Sequence, residues 1–341
     1  MADRVRIGIY GTGNIVRRRH LPNLMQIQDA EVVALCDMNE EALYAAATLA
    51  PCARTYKDAE TMLRQESLDA LYSCVPPFAR GDVEVAAVQS GMHLFCEKPQ
   101  ALDMVTARRI GDAVRDAGVI STVGFRERYR PIFRRARELL VDKDVVHAEF
   151  LSVRPLPPSH GQERNWYDDL DRSGGPALDW GIHAADYVRF MTGYDIVRVS
   201  AYYQHREQYA LPVSYAFGMV LSSRATMDMT FVAALADDRT EDPALRRERR
   251  RFRVYYVGGY LDLYMYDEIA VDGVTVQRFD NSVDPWYEHD RRFVQAIQEN
   301  DGGLLDNDYR DGLYSLGAVL AGWQSAQHGG EPIDVVALVR D

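Results

Sequence analysis

The sequence lacks any uninterrupted run of about 18 or more apolar residues, which excludes a conventional membrane-spanning helix. No secretory hydrophobic region precedes the strand-like pattern in "MADRVRIGIYGTG", so a cytoplasmic enzyme or binding protein is expected. Closely paired cysteines are missing as well. Cys36, Cys52, Cys74 and Cys96 lie 16, 22 and 22 residues apart, without the paired ligands of a zinc site, and no metal is expected. Three of the four close apolar runs, as buried reduced thiols do. Positive charge is in deficit: 51 acidic against 39 basic residues give a formal charge of −12, which would repel a phosphate backbone. The one basic run, "LRRERRRFR" at 245–253, follows the acidic "DDRTED" and reads as a solvated, charge-compensated loop. There is no internal repeat or low-complexity tract.

What is present is enough apolar material for two cores, 47% of 341 residues. From residue 5 to about 123, strand-length runs ("VRIGIY", "AEVVALC", "LDALYSCV", "MHLFC", "VISTVGF") alternate with amphipathic stretches at 39–49, 58–66, 82–90 and 103–117. That alternation predicts an α/β domain with a doubly wound parallel sheet over 1–123. Beyond it the rhythm changes. A helix at about 129–140, the run "VVHAEFLSV", a Pro-rich charged segment at 154–173 and a helix at 180–192 lead into strand-like runs up to residue 278. Two helices, about 285–300 and 309–327, close the chain. Residues 124–341 therefore read as an α+β domain on a large, mostly antiparallel sheet, its closing helices free to pack back on the first domain. The Tyr-rich strand region invites a sheet-face interface.

"RIGIYGTGNIV" places Gly11, Gly13 and Val16 in the slots of GxGxxG between a strand and a helix. The first glycine permits a tight turn, the second lets backbone approach a pyrophosphate, and the helix start supplies free amides. Val16 asks the packing to accept a larger residue than the motif's third glycine. Asp37 closes the second strand 24 residues after Gly13, where a carboxylate can bind the adenosine ribose or simply cap the helix ahead of "NEEAL". Its charge favours NAD over NADP. Arg17, Arg18 and Arg19 would serve NADP, or form an exposed helix face. Asn14, Ile15, Met38, Val75, Pro76, Glu97 and Lys98 complete the candidate cofactor set.

In "LFCEKPQAL", an apolar strand ends on Glu97, Lys98 and Pro99. Ligands of an open parallel sheet collect at the carboxyl ends of its strands, so Lys98 faces the nicotinamide end of a dinucleotide or is a surface lysine paired with Glu97. Proline at 99 restricts the lysine backbone to extended geometry. Glu97 either contacts the cofactor or balances the lysine. In "SGGPALDWGIHAADYVRFMTG", Trp180, Ala184, Tyr187 and Met191 make an apolar stripe. Asp179, His183 and Asp186 share the neighbouring one, giving His183 carboxylates at positions −4 and +3.

The GTGNIV loop, the EKP segment and this DxGxHxxD stretch together resemble the glucose–fructose oxidoreductase, inositol dehydrogenase and MocA-like (Gfo/Idh/MocA) family, over essentially the whole chain. The resemblance implies an NAD(P)-binding Rossmann domain and an open-faced sheet domain through which members form homodimers or homotetramers. It implies hydride transfer between nicotinamide and a secondary alcohol or carbonyl of a sugar, sugar derivative or cyclitol, with Lys98, Asp179 and His183 as the catalytic set. Two segments depart from the pattern. The family's TPNxxH reads "VPPFAR", with Pro77 for Asn and Arg80 for His, and Glu127 interrupts "GFRERYRP". Arg126, Arg128, Trp166 and Tyr287 are candidate substrate contacts.

Histidine titrates near operating pH, so His183 is the expected proton carrier, Asp179 its orienting carboxylate and Lys98 the stabiliser of the substrate oxygen. Two other functions remain open on the sequence: an NAD-dependent glycoside-cleaving enzyme working by transient oxidation and elimination, and a non-catalytic NAD-sensing regulator.

Overall fold

The computed structural model describes residues 4–159, 166–237, 242–264 and 266–340. The chain forms two compact units, residues 1–129 with 284–313, and 130–283 with 314–341. A single break at 123/124 therefore does not describe the units: the first extends to Tyr129 and takes back the helix Pro285–Glu299. Phe293 and Val294 of that helix join the core of the first sheet, where the apolar face of the helix is buried.

The first unit is built on six parallel strands, β1 (Val5–Tyr10), β2 (Ala30–Cys36), β3 (Arg54–Tyr56), β4 (Ala70–Ser73), β5 (His93–Cys96) and β6 (Ser121–Val123). Their order is 3-2-1-4-5-6, the doubly wound Rossmann arrangement. The chain turns to one side after β1 and later returns to its other side as β4, so the ends of β1 and β4 flank the topological switch point. Side chains account for the helix starts. Asn39, Asp58 and Asp103 each accept a hydrogen bond from the backbone amide three residues on. Gly118 closes the helix Met104–Ala117 in the left-handed conformation.

The second unit carries nine strands: β7 (Val145–Pro155), β8 (Ile196–Gln204), β9 (Ser214–Leu221), β10 (Thr226–Leu235), β11 (Arg250–Tyr256), β12 (Gly259–Tyr264), β13 (Glu268–Val271), β14 (Val274–Arg278) and β15 (Ile333–Asp334). Their order is 14-13-12-11-7-10-9-8-15, and among the described pairs only β7 with β10 is parallel. The basic run is not a loop. Helix Pro243–Arg249 leads directly into β11, and the strand's arginines meet carboxylates of neighbouring strands: Arg251 with Glu149 at 2.5 Å and Arg253 with Asp262 at 2.6 Å. Most of the acidic "DDRTED" segment lies outside the described residues.

Among the described residues, no helix is long and apolar enough to cross a membrane, and no cluster of three or more His, Cys, Asp or Glu could hold a metal ion. Cys36 and Cys96 are buried free thiols, Cys74 is partly buried and Cys52 is exposed.

Candidate active site

The glycine loop follows β1 without a break. Gly11 adopts φ +92°, and a β-carbon there would lie 2.7 Å from the Val75 backbone nitrogen, so only glycine lets the loop pack on the residues that follow β4. At Gly13 a β-carbon would meet nothing within 4 Å. The loop thus presents bare backbone to open space at the switch point, which fits a pyrophosphate. Val16 is fully buried in the core, and the helix begun at Asn14 passes through a π-turn at Val16–His20 before Leu21–Leu24.

Asp37 is not the helix cap, because Asn39 performs that role. The Asp37 carboxylate accepts from the Thr12 amide (2.7 Å), the Thr12 hydroxyl (3.1 Å) and the Asn39 amide (2.8 Å), tying the end of β2 to the glycine loop. A carboxylate offers about four acceptor positions. Asp37 is half-buried, so acceptor capacity remains for a ribose hydroxyl. Asn14 and Met38 are exposed, while Ile15 and Pro76 are half-buried and Val75 is buried. Arg19 lies 4.4 Å over Trp286 and 3.6 Å from Asp284, which turns it to the helix Pro285–Glu299.

At the exit of β5, Glu97 is buried. One carboxylate oxygen faces His20 Nε2 at 3.1 Å, and the other accepts from the Lys98 amide at 2.9 Å. The Glu97 side chain therefore anchors the strand end. His20 Nδ1 meets Asp290 at 2.8 Å, and Asn23 donates to the second Asp290 oxygen at 2.9 Å. Burial alone would lower the His20 pKa, but Asp290 and Glu97 outweigh it and raise it to about 10. Burial pushes Glu97 up, yet His20, Lys98 and Arg126 bring it down to about 2. The His20 imidazole is thus enclosed between two carboxylates, those of Glu97 and Asp290, which favour its charged form. Lys98 itself is half-buried.

Arg80, at the family's histidine position, is buried and donates to the carbonyl oxygens of Val75, Glu97 and Pro99. Arg126 lies 4.1 Å over the Trp286 ring and 3.3 Å from Glu127. Arg128 is buried, donating to the Asp306 carbonyl at 2.6 Å and pairing with Asp311 at 2.7 Å, so its guanidinium braces the fold. Tyr287 packs against the Rossmann core.

In the second unit, Gly174 and Gly175 (φ +69° and +71°) turn the chain into Pro176 and a π-turn, Ala177–Gly181, that runs into helix Ile182–Thr192. That helix is buried on every side from Ile182 to Met191, rather than along one stripe. Gly181 fits against Met229 and Phe231 of β10. Asp179 lines a cavity of about 240 Å³ with Trp180, Tyr167, Tyr215 and Phe231. His183, 4% exposed, lines a smaller one of about 50 Å³ with Tyr187, Phe133 and Phe252. Arg154 and Trp180 border both, the guanidinium 3.8 Å from the indole centre. The ring of His183 stacks with Tyr187 at 6.0 Å. Asp186 accepts from Ser315 at 3.2 Å. Trp166 stacks on Tyr167 at 3.9 Å, beside the larger cavity.

Sequence reasoning did not find His20, Asp290 or a clamping role for Arg80. His20 closes the string "RRRH" and reads as part of an exposed basic face. A usable signal was lysine scarcity: lysine occurs only at 57, 98 and 143, so a chain that meets its other needs for positive charge with arginine keeps an ammonium at the β5 exit.

Residues 5–125 match the family model described as an oxidoreductase family with an NAD-binding Rossmann fold, and residues 133–261 match the GFO/IDH/MocA C-terminal domain. The chain is 28% identical over 200 residues to myo-inositol 2-dehydrogenase of Thermotoga maritima, covering 58% of each. It is 31% identical over 197 residues to inositol 2-dehydrogenase of Rhizobium meliloti, again 58% of each. The matched region thus spans somewhat over half the length of these curated relatives. An oxidoreductase domain protein from Kribbella flavida has the same fold, with a TM-score of 0.82 at 19% identity over 98% of this chain and 99% of that one. With both domain models matched in order on the sheets described above, the chain belongs to the Gfo/Idh/MocA oxidoreductase family.

Proposed function

We propose that this protein is an NAD(H)-dependent oxidoreductase that moves a hydride between nicotinamide and a secondary alcohol or ketone of a sugar, sugar derivative or cyclitol. The observation that carries the reading is the exit of β5, where Lys98 leaves the carboxyl end of a Rossmann strand with its amide held by buried Glu97. The names of the inositol dehydrogenase relatives support the substrate class.

Gly11, Gly13, Asn14 and Ile15 would hold the pyrophosphate, Asp37 and Met38 the adenosine ribose, and Val75, Pro76 and Lys98 the nicotinamide half. The negative charge of Asp37 would repel a 2′-phosphate, favouring NAD over NADP. When bound, nicotinamide accepts or returns the hydride. His183 takes the hydroxyl proton as the hydride leaves and gives it back in reverse, with Asp179 orienting the imidazole. The Lys98 ammonium donates to the same substrate oxygen and stabilises its alkoxide character, an effect worth about 3 kcal/mol. Arg126 and Trp166 stay in the proposed substrate set. Arg128, which pairs with Asp311, and Tyr287, which packs partly buried against the first core, belong to the same proposed set. Assembly as a homodimer or homotetramer through the nine-stranded sheet belongs to the same proposal, and a monomeric mass by light scattering would remove it.

The test is NADH absorbance with a panel of inositols, aldoses and methyl glucosides. Turnover by the wild type, lost in His183→Ala while NAD still binds, is expected; full activity of that variant would refute the assignment.

A further inference from the structure

Lys98 is useful to the proposed reaction only if its backbone is held in one place, and the guanidinium of Arg80 is arranged to hold it. Arg80 Nη1 donates to the Pro99 carbonyl at 2.9 Å and also to the Glu97 carbonyl, the residues on either side of Lys98. The same nitrogen lies 2.9 Å from the Cys96 sulfur. Nε and Nη2 reach the Val75 carbonyl at 3.2 and 2.9 Å. One planar group therefore ties the segment after β4 to both flanks of the lysine after β5. Its planar fork does this where a lysine ammonium, with three donors on one nitrogen, does not.

The scaffold around it is equally built. Arg80 is buried, and Glu84, fully buried one turn into the next helix, accepts from the Gly81 amide at 2.7 Å and from the Ser73 hydroxyl at the end of β4. On the other flank Glu97 binds the Lys98 amide through its carboxylate and Arg80 through its carbonyl. The structure assigns Arg80 as the positioning residue for Lys98: it touches neither substrate nor cofactor, and it fixes where the ammonium is delivered. This rests on the reading of Lys98 given above.

A double-mutant cycle tests the assignment. Arg80→Lys keeps the charge and loses the fork; a misplacement on the ångström scale lowers turnover by up to about a hundredfold. In a Lys98→Met background the same change should cost nothing further, because no ammonium remains to misplace. Turnover is read on whichever of myo-inositol, scyllo-inositol, D-xylose and methyl glucoside reduces NAD fastest. Equal fractional losses in both backgrounds overturn the proposal, since a merely structural arginine lowers both.

A second readout needs no substrate. With only three lysines in the chain, pulse acetylation by acetic anhydride read by mass spectrometry gives Lys98 reactivity against Lys57 and Lys143 as internal references. The Lys98 ratio should shift in Arg80→Lys beyond replicate scatter; an unchanged ratio overturns the positioning role. If Lys98→Met proves fully active, the catalytic reading of Lys98 fails while the acetylation ratio still decides whether Arg80 places it. If both Arg80→Lys and Arg80→Gln fail to fold, Arg80 belongs to the fold alone and the proposal is rejected.

Discussion

The two units hold their proposed working side chains by opposite means. In the first, Lys98 sits on a strand exit, and that exit is pinned by buried charge: Glu97 and His20 on one side, Arg80 on the other. In the second, His183 rides a helix buried on all faces against a sheet, its ring stacked on Tyr187 of the same helix. A strand end has a fixed direction, but the loop leaving it must be tied down, and single charges do that in an all-or-none way. A helix enclosed by apolar neighbours cannot be re-aimed without repacking, so it tolerates loss of one polar partner better.

The largest expected effect comes from the second unit. His183→Ala should lower kcat by about two to four orders of magnitude, the usual range for loss of a proton carrier, with unfolding by urea nearly unchanged. Lys98→Met follows, at about two to three orders in kcat and little change in NAD affinity, measured by fluorescence titration. A comparable loss of stability in His183→Ala would break the contrast between the units.

Removing His20 should act on stability first. His20→Ala leaves Glu97 and Asp290 buried without their cation, at about 3–5 kcal/mol measured by urea unfolding at neutral pH. The pH dependence has a definite sign. The His20 pKa rises from 6.5 to about 10 on folding, so its contribution is complete below about 6.5 and is lost as pH climbs toward 10. Glu97 falls from 4.5 to about 2, so its contribution is present above about 4.5 and is lost as pH drops toward 2. Wild-type stability should therefore decline between pH 7 and 10, and the His20 variant should show little of that decline.

The smallest effect belongs to Asp37→Ser. Loss of the charge-assisted hydrogen bond proposed between Asp37 and the ribose corresponds to about a tenfold rise in KM for NAD. The removed negative charge should also bring NADP and NAD closer together, read as the ratio of their kcat/KM values.

Much of this contrast was legible in the sequence. Run length and apolar content place the helix 309–327 and the long strand beginning at Val145 where the structure has them. The EKP and DxGxHxxD segments are visible because their chemistry is carried by local strings. What stayed hidden depends on partners distant in the chain. Glu97 reads as a neighbour of Lys98, yet its carboxylate is fixed by His20, which is in turn held by Asp290. Asp37 reads as a ribose ligand or a cap, and only the fold shows Asn39 taking the cap position. The run at 245–253 reads as a loop, since nothing local shows that Glu149 and Asp262 on adjacent strands neutralise its arginines. The π-turns at Val16–His20 and Ala177–Gly181 leave no mark in the residue pattern.

The measurement that tests the central claim most directly is the stoichiometry of the wild-type reaction. One NADH formed per secondary alcohol oxidised to a ketone, with an inositol or sugar from the panel, is the expected result. Product appearing without net NADH, or NAD bound with no turnover of any panel member, would contradict the account.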